Sequence, residues 1–210
     1  NNLRLLLSSA LLSDILDDMG LSGVLSSRFM LNIPNQKVFG RAKTLQIDLC
    51  ADDDDYKKIY DSLHLYDHIV SNDIIVVANN IPDFAFFGEL NANLAIRSGA
   101  GGAIIDGVTR DTRQTADIGF PVFSKGNYCK DTRTRGIVTS RNKTVIIDNV
   151  SIHKDDLIFG DKDGIVVIPK KHEKRIIDLA LEKMAQEKNI LIDVARGVST
   201  STLVDKYGLF

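Results

Sequence analysis

Leu11, Leu12, Ile15, Leu16 and Met19 recur at i, i+1, i+4, i+5 and i+8, one face of an α-helix. Asp14, Asp17 and Asp18 take the opposite face, and Gly20 supplies a stop. The pattern predicts a core helix over 9–19. It outweighs the signal-peptide look of Arg4 followed by the apolar stretch 5–12. A β-rich patch over 37–49 comes next, then a charged helix over 55–68. That helix is opened by four consecutive aspartates, 52–55, which suit a helix start better than a cation site. Residues 73–78 (DIIVVA) form a short continuous apolar run, as expected of a strand buried on both faces. A helix over 89–98 follows, with Leu90, Leu94 and Ala95 or Ile96 inward and Gly99 just past its end. The strand 103–106, a short helix over 112–117 and a strand from 121–123 complete an alternation that predicts a parallel α/β sheet. A further strand, 165–168, follows the turn at 160–164. A long amphipathic helix over 171–195 and a shorter one after Gly197 end the chain.

No repeat, low-complexity tract or linker divides the 210 residues, which favours a single domain. With 44% hydrophobic and 26% charged residues the chain reads as a soluble globule, and a cytoplasmic location is expected. A net charge of -2 gives no global basic field for nucleic acid. Two cysteines, Cys50 and Cys129, are too few for a disulfide scaffold, and Cys129 is expected to be a buried, inert thiol. No apolar run reaches the ~18 residues that a membrane helix requires. Lys125, Lys130, Arg133, Arg135 and Arg141 form a local basic stretch, expected to be solvated surface.

In open α/β sheets ligands gather at the carboxyl ends of the parallel strands. Two features fall there. Gly88-Glu89-Leu90-Asn91 leads from a glycine turn into a helix, whose free N–H groups and dipole attract a carboxylate or phosphate. Arg110-Asp111 lies just past the strand 103–106. Together they offer an anion hole, a fixed cation and two carboxylates, a set that suits a hard ion such as Mg²⁺, which keeps several waters and needs one or two carboxylates. Asp111 as direct ligand, with Glu89 holding a metal-bound water, would let the ion chelate a 2-oxo acid and stabilise an enolate. Arg110 would pair with the substrate's oxygens. Each piece also has a plainer reading. Asp111 and Gln114 form a capping-box pattern, Glu89 suits the dipole of a first helical turn, and Arg110 suits a surface charge.

The stretches Gly88-Glu89-Leu90, 102–111 (GAIIDGVTRD) and 119–123 (GFPVF) resemble the 4-hydroxy-4-methyl-2-oxoglutarate aldolase family, class II pyruvate aldolases that share their fold with the regulator of ribonuclease E activity. The likeness covers nearly the whole chain, from 13–23 through Gly40-Arg41-Ala42 to the hairpin 160–169. It implies an RraA-like swivelling β/α/β fold, with a central, largely parallel sheet flanked by helices and a C-terminal helical extension over about 171–210 that packs on a neighbouring subunit. The family pattern of an acidic residue, twenty intervening positions and Arg-Asp is met by Glu89 and Arg110-Asp111.

By resemblance, Asp111 is the ligand of Mg²⁺ (Mn²⁺ or another divalent ion substituting) and Arg110 contacts the pyruvyl group. Glu89 orients metal-bound water, and the Gly88 turn with the amides of Leu90 and Asn91 receives the substrate carboxylate. Glu187 of a neighbouring subunit completes the site in a homotrimer or dimer of trimers. The implied activity is cleavage of a 4-hydroxy-2-oxo acid to pyruvate and a second carbonyl compound, with oxaloacetate decarboxylation beside it. Glu89 stands where the family's aldolases usually carry aspartate, which leaves the exact reaction open. The alternatives are a non-catalytic regulator that binds a ribonuclease and an enzyme acting on a larger oxo-acid.

Overall fold

The computed structural model describes residues 2–51 and 55–208, so the aspartates 52–54 lie outside the described residues. In chain order the elements are α1 (Asn2–Leu6), α2 (Ser9–Asp18), β1 (Met30–Leu31), β2 (Val38–Leu49), a 3₁₀ helix (Tyr56–His68), β3 (Ile74–Asn79), α3 (Glu89–Ser98), β4 (Gly102–Thr109), α4 (Thr112–Asp117) and β5 (Val122–Asn127). There follow β6 (Gly136–Arg141), β7 (Val145–Ile147), β8 (Val150–Ile152), β9 (Leu157–Asp161), β10 (Gly164–Ile168), α5 (Glu173–Ala195) and α6 (Thr200–Tyr207).

Strands β2, β3, β4 and β5 pair in parallel, in spatial order β5-β4-β3-β2. Antiparallel neighbours extend this centre: β1 on β5, and β9 and β6 on successive parts of the long β2, with β10 hairpinned to β9. Every residue of β3 is buried, which is what the uninterrupted apolar run at 73–78 predicts. The pleat divides its side chains between two cores. Ile75 and Val77 pack with Leu45, Ile105, Ala92 and Ala95 beneath α3 and the 3₁₀ helix. Ile74, Val76 and Ala78 face the β7–β8 hairpin through Ile147, Val150 and Ile152. A third cluster joins Leu12, Ile15 and Leu16 of α2 to Phe159, Val166, Ile176 and Ala180. The first half of α5 therefore packs on its own chain, while Leu191, Ile192 and Val194 near its end are exposed.

Two expectations change form. The segment after Asp55 is 3₁₀ rather than α-helical. Its buried positions Ile59, Ser62 and Leu65 recur every third residue, the period of a 3.0-residue turn. In α3 the inward residues are Ala92 and Ala95, with Leu94 partly buried, whereas Leu90 and Ile96 are exposed. Two small side chains let the helix lie close on the sheet and turn the larger ones out.

Asp161, at the end of β9, ties α2 to the sheet. Its carboxylate accepts the Ser9 hydroxyl at 2.6 Å, the Ser9 amide at 3.0 Å and the Asp163 amide at 3.0 Å. Burial pushes this acid up, but the three donors outweigh it and hold its pKa below the ordinary 3.8. A depressed carboxylate contributes stability above the unfolded-state value, and that contribution is lost as pH falls through the folded value. Asp161→Asn is expected to lower stability near neutrality by about 2 kcal/mol, as for loss of a charge-assisted hydrogen bond. Denaturation followed across pH should show the wild type losing its advantage over the variant below about pH 4.

Candidate active site

Strand β4 runs on past Asp106, where the sequence pattern ends it, because Gly107 adopts φ +148 and forms a bulge against β5. A Cβ at this position would meet the Pro82 carbonyl oxygen at 2.8 Å. The chain entering α3 lies along the extended end of β4. Val108 donates to the Pro82 carbonyl at 3.0 Å, Phe87 bridges Thr109 in parallel, and Arg110 donates to the Phe87 carbonyl at 3.0 Å. This backbone register sets Gly88-Glu89 directly against Arg110-Asp111, both at the carboxyl ends of the parallel strands.

Asp111 does not make the capping box that its sequence neighbourhood suggests. It sits in the left-handed region (φ +52, ψ +37) and its side chain makes no cap to α4. Its Oδ2 instead accepts the Glu89 amide at 3.2 Å, capping the neighbouring helix α3, whose own N-cap, Gly88, has no side chain. Oδ1 takes no hydrogen bond among the described residues, so the carboxylate is anchored by one oxygen and presents the other. Arg110 Nε lies 3.7 Å from Asp111 Oδ2. The first helical bond of α3 runs from Ala92 to the Gly88 carbonyl at 3.0 Å, which leaves the amides of Leu90 and Asn91 free to donate. The Asn91 side chain fixes this corner: its Nδ2 donates to the Phe86 carbonyl at 2.8 Å and its Oδ1 accepts the Tyr66 hydroxyl at 3.1 Å. Burial pushes the Tyr66 phenol well up, which keeps it a donor.

A cavity of about 240 Å³ opens between Arg110-Asp111 and the 3₁₀ helix, walled by Tyr60, Leu63, Phe86 and Leu90. Sequence reasoning missed one of its charged residues. Asp131, in the loop after β5, pairs with Arg110 Nη1 through Oδ2 at 2.9 Å. The available signal was compositional, since Asp131 is the lone acid in the basic stretch 125–141. That stretch is not uniformly solvated: Lys125 is largely buried between Asp106 (2.6 Å) and Asp148 (2.7 Å), and Lys130 and Arg135 lie over the Phe84 ring. A second hollow beside Arg110-Asp111, about 310 Å³, is lined also by Asn127, Tyr128 and Cys129. Cys129 is exposed there, against the expectation of a buried thiol, because it follows the end of β5 on the solvent side. Glu187 is exposed on α5, and among the described residues its side chain makes no hydrogen bond or ion pair with this cluster. That helix starts at the opposite end of the sheet, where Glu173 grips the Arg41 guanidinium at 2.5 and 2.8 Å.

The donors fit a hard cation of a particular kind. No group of three His, Cys, Asp or Glu converges among the described residues, which does not suit a fully protein-ligated ion. One anchored carboxylate with a free oxygen, and an exposed glutamate beside it, suit an ion that retains most of its water, as Mg²⁺ does.

The family model described as RraA-like, Aldolase/RraA, matches residues 9–167. A Halalkalibacterium halodurans protein named "Putative 4-hydroxy-4-methyl-2-oxoglutarate aldolase" is 30% identical over 177 residues, covering 84% of this chain and 80% of its own length. Protein DlpA of Legionella pneumophila is 26% identical over 201 residues, 95% of this chain but 32% of that protein, so the chain spans about a third of this relative's length. Among solved structures, Streptomyces coelicolor RraAS2, described as an unusual member of the RNase ES inhibitor RraA protein family, shares the fold with a TM-score of 0.78 at 22% identity, covering 90% of this chain and 94% of its own. Among the described residues no helix is long and apolar enough to cross a membrane. With three quarters of its length matched by the family model, the chain belongs to the RraA-like (Aldolase/RraA) family.

Proposed function

We propose that the chain is a divalent-metal-dependent lyase that cleaves a 4-hydroxy-2-oxo acid, of the 4-hydroxy-4-methyl-2-oxoglutarate type, to pyruvate and a second carbonyl compound, and that it also decarboxylates oxaloacetate. The observation that carries this reading is the 3.2 Å hydrogen bond from the Glu89 amide to Asp111 Oδ2. It brings a free helix start, the Arg110 guanidinium and the Asp111 carboxylate to one cavity, with Glu89 at the first position of the helix. Asp111 would hold Mg²⁺ or Mn²⁺, with Glu89 reaching the ion through water. When bound, the ion supplies Lewis-acid stabilisation of negative charge on the pyruvyl oxygens.

The protein's own groups do the rest. The amides of Leu90 and Asn91 receive the substrate's carboxylate, aided by the dipole of α3. Arg110 donates to the oxygens on which charge develops as the C3–C4 bond breaks. Glu89 orients the water that takes the proton from the C4 hydroxyl. The C4 oxygen becomes the carbonyl of the departing product, the bond's electron pair passes to C3, and a proton returned to C3 gives pyruvate. In the same reading the chain assembles as a trimer, or a dimer of trimers, in which Glu187 of each subunit completes the neighbour's site.

Pyruvate release from a panel of 4-hydroxy-2-oxo acids tests the proposal. Release is expected with added Mg²⁺, to be lost with EDTA and to return when Mg²⁺ is restored. Release that is indifferent to chelation overturns the metal-dependent mechanism. A protein inert toward every oxo-acid, yet forming a stable complex with a ribonuclease, makes it a regulator.

A further inference from the structure

The ion pair between Arg110 and Asp131 raises a question of charge. Arg110 Nε stands 3.7 Å from the Asp111 carboxylate, the same carboxylate that the proposed function requires to attract a dication. An uncompensated guanidinium at that distance repels a second cation from the site. Asp131 faces it from the other side, with Oδ2 on Arg110 Nη1 at 2.9 Å.

Asp131 is itself firmly placed. Its Oδ1 accepts the Arg133 amide at 2.6 Å, and its carbonyl accepts Arg135 Nη1 at 3.2 Å. Its loop is laced to the chain leading into α3, with Ala85 donating to the Lys130 carbonyl at 2.8 Å and Thr132 to the Ala85 carbonyl at 3.1 Å. The segment leading to Gly88 and the loop that carries Asp131 are thus tied together through their backbones. Fold stability is a poor explanation for the pair. Both side chains are more than a third exposed, and such ion pairs contribute about 0–1 kcal/mol.

We propose that Asp131 is a positioning residue of the active site. It holds the Arg110 guanidinium in place by one N–H, leaving the others for the substrate, and it offsets the charge of Arg110 so that a divalent cation can settle on Asp111. The proposal rests on the metal-dependent reading above. In the resting site Arg110 and Asp111 alone sum to zero, and Asp131, the second carboxylate paired with Arg110, tips this cluster to a net charge of -1 that attracts a cation. Bringing a dication to Asp111 then does not require Arg110 to swing away, and the guanidinium stays where the pyruvyl oxygens need it.

The test measures Mn²⁺ binding to the substrate-free protein at low salt by electron paramagnetic resonance, beside steady-state kinetics of pyruvate release. Asp131→Asn keeps the size and one acceptor but removes the charge, and is expected to raise the Mn²⁺ Kd about fivefold to tenfold. KM for the oxo-acid should rise with it, with kcat changed less and the melting temperature unmoved. Asp131→Glu, which restores the charge, should recover most of the Mn²⁺ affinity. In an Arg110→Gln background, where no guanidinium remains to be held away from the metal position, Asp131→Asn loses only its through-space charge and should have a clearly smaller effect on Mn²⁺ Kd. A wild-type Mn²⁺ Kd in Asp131→Asn, or an equal effect in both backgrounds, overturns the proposal while leaving the metal-dependent lyase standing. Failure of the wild-type protein to bind Mn²⁺ brings down both.

Discussion

Asp111→Asn is expected to lower kcat/KM for pyruvate release by about a thousandfold, the scale of losing one preorganised electrostatic group together with its metal anchor. Asparagine is the informative replacement because it changes little else. It has the same shape, keeps an oxygen that can accept the Glu89 amide, and is among the residues that tolerate the left-handed conformation found at φ +52. Only the negative charge is removed. A neutral amide is a poor ligand for a strongly hydrated dication, so the loss should appear chiefly in kcat and in metal binding. Thermal denaturation should match the wild type within about 1 kcal/mol, since the group is half exposed. Asp111→Ala adds two further effects, an uncapped Glu89 amide at the start of α3 and an alanine forced to positive φ, so its lower stability would blur the result. Near-normal turnover in a folded Asp111→Asn protein removes Asp111 from the mechanism.

The different fates of neighbouring expectations show what sequence spacing records. It records periodicity along one element. The run at 73–78 became a doubly buried strand, the face Leu11, Leu12, Ile15 and Leu16 became the buried side of α2, and Gly99 closes α3 at φ +88. It records poorly what one element does to another. Helical spacing points Leu90 inward, yet the first turn of α3 overhangs the cavity rather than the sheet, so its side chain is exposed. Asp111 and Gln114 satisfy a local capping pattern, but the nearer orphan amide belongs to Glu89, which the Phe87–Thr109 bridge brings within reach from 22 residues away. Asp131 carries no motif at all. Its role depends on a pairing between the loop after β5 and Ala85 that no local pattern specifies. The carboxyl-end rule and the family resemblance both point to Glu89 and Arg110-Asp111, and the two pairs do meet, through a backbone register that periodicity does not record.

That register leaves almost no space at Gly88, and the crowding gives the second large prediction. Gly88 has φ -154, extended backbone open to any residue, so alanine brings no conformational strain. Its Cβ would instead lie 2.6 Å from Asp111 Oδ2 and 3.1 Å from Arg110 Cγ. A carbon and an oxygen in ordinary contact need about 3.5 Å, so the carboxylate has to retreat by roughly 1 Å. Asp111 and Arg110 are flexible at their tips and half exposed, so the fold can absorb the shift, and Gly88→Ala should leave the melting temperature close to that of the wild type. The site cannot absorb it so easily, because a misplacement of this size in a reacting constellation lowers rates by about a hundredfold. Gly88→Ala should therefore lose about that factor in kcat/KM, weaken Mn²⁺ binding and preserve the cooperative unfolding transition. Gly164→Ala is the matched control: its added methyl meets nothing within 4 Å, in a hairpin turn remote from the cavity, and activity should be unchanged. If Gly88→Ala also keeps wild-type turnover, the closeness of the two loops is a packing feature and the catalytic centre lies elsewhere.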